Sequence, residues 1–94
     1  MTITVKFIGA FRSASGVDKI TVPIKENEAL KHIISGIAEE IPELKRVLVD
    51  PQLRDPRPNA LILVNGKEIS VLRGLETTLK DGDEIVLVPV LHGG

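Results

Sequence analysis

The chain contains no cysteine, no tryptophan and no tyrosine, and its only aromatic residues are Phe7 and Phe11. Without cysteine there is no disulfide framework, no thiolate zinc site, no iron–sulfur cluster and no cysteine nucleophile. Two rings are too few for a platform on which bases stack. Charge of one sign is lacking as well: 12 Lys and Arg face 13 Asp and Glu, for a net charge of −1. Nothing electrostatic therefore draws the chain to nucleic acid, and no nucleic-acid partner is expected. Long apolar runs are missing. The longest, Ala60–Val64 and Ile85–Leu91, are far too short to span a bilayer, so no membrane partner is expected. Lys6 interrupts the first apolar stretch, which reads as a strand and not as a signal peptide. The expected class is a soluble cytoplasmic domain.

Familiar catalytic sets are absent too. The glycines form neither a G-x-G-x-x-G nor a Walker pattern. Ser13, Ser15, Ser35 and Ser70 have no histidine and acid at a telling spacing. His32 sits between helix core positions and reads as a solvated or half-buried side chain; His92 has no motif around it. Asp81 and Asp83 flank Gly82, but no acid follows where a calcium loop needs one, so a solvated turn is expected. No metal site and no cofactor is predicted.

Ile, Leu and Val make up 32 of the 94 residues, enough for one core, and residues 1–94 read as one domain. Thr2–Ile8 alternates strictly, with Ile3, Val5 and Phe7 on one face, as a half-buried strand does. The polar stretch from Arg12 to Gly16 predicts a turn, and Val17–Ile24 a second strand closing a hairpin. Asn27 is placed as a helix N-cap with Glu28 in the first turn. Leu30, Ile33, Ile34, Ile37, Ala38 and Ile41 then form the strongest periodic stripe in the chain, one amphipathic helix that Pro42 ends. Leu44, Val47 and Leu48 allow one further short turn, and the proline-rich stretch Asp50–Asn59 is a loop. Asn65-Gly66 between two strand-like runs predicts a hairpin, because both residues tolerate positive φ. Asp81-Gly82-Asp83 marks a turn, and Glu84–Leu91 a last strand apolar on both faces.

A strand apolar on both faces does not belong at an edge. It is expected at the centre, parallel to the first strand, in an α+β fold of the β-grasp type: a mixed sheet with one main helix on one face. A ferredoxin-like sandwich is the alternative, but it needs a second full helix. Parity alone does not choose between the two faces of the last strand; if Ile85 and Leu87 lie under the helix, Ile8, Val86 and Val88 turn to the open face, either as a docking surface with Arg12 at its rim or beneath a neighbouring loop.

The strand runs directly into His92-Gly93-Gly94. A flexible tail over residues 90–94 reaches roughly 16 Å when extended. Glycine has no Cβ and passes through channels too narrow for other residues. An α-carboxylate titrates near pH ~3.5 and is ionised at neutrality, so it can attack the α-phosphate of ATP to form an acyl adenylate. The residues alone leave two readings open, a reactive tail and an inert terminus.

Val5-Lys-Phe7, Ala10, Arg12, Gly16, the amphipathic helix, Leu63-Val-Asn-Gly66, Leu79-Lys-Asp-Gly-Asp-Glu84 and Val88-Pro89 leading to Gly93-Gly94 follow in this order over nearly the whole chain. Together they resemble the MoaD/ThiS family of ubiquitin-like sulfur carriers. The resemblance is closest to MoaD, the small subunit of molybdopterin synthase, and extends to archaeal MoaD-like modifiers. It implies that a MoeB-like E1 enzyme uses ATP to adenylate Gly94, that a sulfur donor converts the adenylate to a thiocarboxylate, and that the tail enters a MoaE-like large subunit. There sulfur passes to cyclic pyranopterin monophosphate. The chain itself is then a sulfur-donor subunit and not an enzyme on its own. Gly93 and Gly94 are the reacting end, and Ile8, Arg12, Val86, Val88, Val90, Leu91 and His92 the partner-binding residues. Conjugation of Gly94 to lysine, or sulfur supply to thiamine or tRNA thiolation, is the alternative function. Two positions depart from the MoaD pattern: His92 stands where many bacterial relatives carry a small residue, and Val88 where an aromatic is common.

Overall fold

Alternation at the N-terminus becomes β1 (Thr2–Phe7), with Ile3, Val5 and Phe7 buried. The computed structural model describes residues 1–90. Beyond β1, where the sequence predicts only a polar turn, the chain forms a short helix, α1 (Ala10–Ser15). Phe11 is the cause. It is fully buried and draws the segment against the helical layer, while Gly16 closes the helix in the left-handed region at φ 79°. β2 (Lys19–Pro23) is correspondingly shorter than the predicted strand, but it pairs antiparallel with β1 as expected.

The main helix, α2 (Leu30–Glu40), starts two residues later than the sequence predicts. Asn27 is not its cap; it adopts a positive φ of 57°, and the Glu28 carboxylate accepts a hydrogen bond from the Lys25 amide. The first helical amide, on Leu30, donates to the Thr77 carbonyl at 2.8 Å, and the Leu79 amide donates to the Glu28 carbonyl at 3.0 Å. A crossing segment of backbone thus satisfies a helix end that a side chain usually caps. Leu30, Ile33, Ile34, Ile37 and Ala38 are buried, as the periodic stripe requires, and Ile41 packs against them partly exposed. Pro42 ends α2 and opens α3 (Pro42–Leu48), because a fixed φ and a missing donor suit the first position of a helix. α3 is a full helix where one turn was expected. It buries Leu44 and Leu48 and leaves Val47 exposed.

β3 (Ala60–Val64) turns through Asn65 (φ 50°) and Gly66 (φ 81°) into the two-residue β4 (Lys67–Glu68). Two 3₁₀ turns, Ile69–Val71 and Gly74–Glu76, lead back toward β5 (Glu84–Pro89). The sheet order is β2-β1-β5-β3-β4. β5 lies at the centre, parallel to β1 with Val5 opposite Ile85, and antiparallel to β3 with Ile62 opposite Leu87. This is the β-grasp arrangement, with the helices packed on one face of a mixed sheet.

Asn65 locks the hairpin to β5. Its amide donates to the Glu84 carbonyl at 2.8 Å, its Oδ1 accepts from the Glu84 amide at 2.9 Å, and its Nδ2 donates to Asp83 at 2.9 Å. Asn65→Ala loses both side-chain bonds and places an alanine at positive φ. The expected cost is about 1–2 kcal/mol, read in urea as a lower midpoint with an unchanged slope. Asn65→Gly keeps the backbone freedom and loses only the bonds, so it should cost less.

Candidate functional site

Alternation along β5 divides its side chains. Ile85 and Leu87 are fully buried under the helices; Val86 and Val88 are half-buried on the other face. Register then assembles the neighbours. Val86 lies opposite Leu63 of β3 and beside Lys6 of β1, and Val88 lies opposite Leu61. Ile8, one residue past the Phe7–Leu87 pair, stands level with Val88. Ile8, Leu61 and Val90 are 44%, 39% and 42% exposed. The result is a contiguous apolar strip across three central strands, open to solvent. Lys6 and Glu84 border it with an ion pair at 3.0 Å, exposed enough to contribute little stability.

Leu61 and Leu63 were not legible as part of this strip. In sequence, Ala60–Val64 is a uniform apolar run with no parity. Only pairing with β5 sends Ala60, Ile62 and Val64 inward and the two leucines outward. Arg12, expected at the rim, is exposed and carries an ion pair with Asp18 at 2.6 Å. Leu91, His92, Gly93 and Gly94 lie outside the described residues. Val90, the residue before them, donates its amide to the Asn59 carbonyl at 2.9 Å.

The described residues bring no catalytic set together. His32 is exposed on α2. Asp81 accepts from the Thr2 amide at 2.8 Å, and Asp83 accepts from Asn65 and from the Lys80 amide, so both carboxylates of the turn are occupied by their own chain. Among the described residues no group of three His, Cys, Asp or Glu side chains is placed to hold a metal ion, and no helix is long and apolar enough to cross a membrane. Three carboxylates sit below their ordinary range, each through a local partner. Asp55 is lowered by hydrogen bonds and charge from Arg57, Glu68 by its bond from Ser70 at a 3₁₀ turn, and Glu76 by Lys31. Asp55 braces a loop, Glu68 caps the first 3₁₀ turn, and Glu76 ties the second to Lys31 of α2. What the described surface offers is an apolar sheet face from which the chain departs toward Gly93-Gly94.

A model of the ThiS family matches residues 5–94. The chain belongs to the ThiS family. Its relatives in that family are small ubiquitin-like proteins of similar length. Small archaeal modifier protein 3 of Haloferax volcanii is 26% identical over 94 residues, covering all of both chains. The solution structure of small archaeal modifier protein 1 from Methanosarcina acetivorans superposes with a TM-score of 0.85 at 30% identity, covering 99% of this chain and 96% of that one. A chain of the Amycolatopsis orientalis BexX/CysO complex matches with a TM-score of 0.69 at 27% identity, covering 98% and 99%. The ThiS-family chain is thus a β-grasp, ubiquitin-like protein of a family that holds sulfur carriers and protein modifiers.

Proposed function

We propose that this protein is a sulfur carrier activated at the carboxylate of Gly94. The observation that supports the reading is the apolar face of β3, β5 and Ile8, lying on the strand that leads to Gly93-Gly94 on a surface whose described residues hold no catalytic set. A carrier needs a docking face and a reactive end; its partners supply the chemistry. An E1-like enzyme of the MoeB type docks on the face, with Ile8, Val86, Val88 and Val90 joined by Leu61 and Leu63. The carboxylate oxygen attacks the α-phosphate of ATP, the bond to the β-phosphate breaks, and pyrophosphate leaves. Hydrosulfide, or a donor equivalent to it, then attacks the acyl carbon of the adenylate and expels AMP, leaving the thiocarboxylate. Glycine at 93 and 94 keeps this end slim enough for both active sites. The acceptor that the sequence resemblance gives is cyclic pyranopterin monophosphate held by a MoaE-like subunit.

A second reading is favoured by the two archaeal relatives named as modifiers. In it, a lysine amine attacks the same activated acyl carbon and forms an isopeptide bond. Both readings share the adenylate. Incubation with the E1-like enzyme of the same genome, ATP and sulfide should raise the intact mass by the difference between sulfur and oxygen, with one AMP released per chain. A mass that stays unchanged while AMP production remains at background would sink both readings. The thiocarboxylate is then offered to the MoaE-like subunit with cyclic pyranopterin monophosphate: dithiolene formation supports the first destination, and lysine adducts without it the second.

A further inference from the structure

Resting on the carrier reading, we propose that Gly9, Asn59 and Pro89 are positioning residues that clamp the root of the tail, fixing where and in which direction the chain leaves the sheet toward Gly94. The clamp has two sides. On one, the β3–β5 ladder runs one step past both strands, through the Val90 amide to the Asn59 carbonyl at 2.9 Å. Asn59 is itself held. Its amide donates to the Pro56 carbonyl at 3.0 Å and its Nδ2 to the Leu48 carbonyl at the end of α3 at 3.3 Å. The loop that carries it is braced by the Asp50 amide on the Asp55 carbonyl at 3.0 Å, the Arg54 amide on the Asp50 carbonyl at 2.7 Å, and the Asp55–Arg57 ion pair at 2.5 Å. A ten-residue loop tied down this firmly presents one carbonyl to the departing chain.

On the other side stands Gly9, at φ 56° and ψ −125°, a conformation open essentially to glycine alone. A Cβ built there meets the Pro89 ring at 3.2 Å, so the bare Cα seats the ring against the turn between β1 and α1. Pro89 fits a central strand for the same reason. The Val90 amide faces β3, so the nitrogen of Pro89 faces β1. There the ladder has already ended at the Ile8 amide on the Leu87 carbonyl, and β1 has turned away. The Ile8 carbonyl, next in that ladder, accepts from the Phe11 amide at 3.1 Å instead, and proline brings no donor to compete for it. The ring also fixes φ at the last step of the strand.

The consequence is a split between docking and delivery. The apolar face sets affinity for the activating enzyme, and the clamp sets how often the docked chain aims its end correctly. The residues after Val90 span at most about 14 Å, at roughly 3.3–3.6 Å each. Releasing the backbone of one root residue should therefore lower the fraction of productive complexes about tenfold.

The test uses Pro89→Ala and Asn59→Ala, which leave the Gly9 backbone unstrained, with Gly9→Ala as a third variant. In the free protein, the Val90 amide should exchange with solvent at least tenfold faster in the variants, while the Ile85 and Leu87 amides stay protected. With the E1-like enzyme, single-turnover adenylation at saturating carrier should fall about tenfold, and the dissociation constant of variant chains truncated after Val90 should match that of the wild type truncated at the same residue. A KM that shifts together with the melting temperature at unchanged turnover would make these residues merely structural and overturn the proposal. So would variants that lose protection at Val90 yet adenylate at the wild-type rate. If the wild-type chain is not adenylated at all, the carrier reading fails, and Val90 exchange alone then decides the clamp: wild-type protection that the variants do not lose removes it.

Discussion

Deletion of Gly94 is expected to abolish adenylate formation and leave the melting temperature in place. Among the described residues the buried core ends at Leu87 and Val90 is already exposed, and removing one terminal glycine, which has no side chain, takes no apolar group out of that core. Surface changes of this kind stay within about 0.5 kcal/mol. Chemistry is a different matter. The shortened chain still ends in a glycine carboxylate, but that carboxylate stops one residue short, roughly 3.3–3.6 Å from where it must react. Misplacement by about 1 Å is enough to cost 10²-fold in a positioned reaction, so a full residue should remove detectable turnover. Pyrophosphate exchange and thermal unfolding on the same preparation check both halves. Gly94→Ala separates reach from bulk: it keeps the length and adds only a Cβ, so its activity reports the width of the channel. A deletion variant that still acquires sulfur would refute the assignment of Gly94 as the reacting residue.

Much of the architecture follows from local pattern. The alternation of β1, the stripe of α2, the Asn65-Gly66 turn and the two-sided apolarity of β5 each have a period or a turn chemistry that short-range sterics and burial impose, and together they require a central parallel strand pair. The features that escape sequence reading depend on contacts distant in the chain. α1 has one buried residue, Phe11, and six residues are too few to display a helical period. Asn27 carries the composition of a cap, but the Thr77 carbonyl, remote in sequence, supplies the partner that moves the helix start to Leu30. The same applies to function. The apolar excess of β5 is visible in the residues, whereas Leu61 and Leu63 join the open face only through register, and Asn59 acts on Val90 through a backbone carbonyl that no side-chain pattern encodes.

The open face itself yields the sharpest test of docking. Val88 is half-buried, opposite Leu61 and level with Ile8, in the middle of the apolar strip. In the free protein, Val88→Asp puts a carboxylate where water still reaches it. The cost to the fold is therefore a lost cross-strand contact, roughly 0.2–1 kcal/mol. In a complex that covers the strip, the same carboxylate is stripped of water with no cation placed to meet it. An unpaired buried charge costs about 3–5 kcal/mol, which corresponds to roughly 10²–10⁴-fold weaker binding. Thr21→Asp is the control. It faces the same side of the sheet on the edge strand β2, paired with Thr4 and outside the strip, so it adds the same charge at no interface. Calorimetric titration with the E1-like enzyme should show affinity collapsing for Val88→Asp and persisting for Thr21→Asp, with both melting temperatures close to the wild type. Equal losses in the two variants would attribute the effect to net charge alone. Unchanged affinity in Val88→Asp would place the partner elsewhere, and the apolar strip would then need a different occupant, because six contiguous aliphatic side chains on a chain this small are not explained by the core they do not enter.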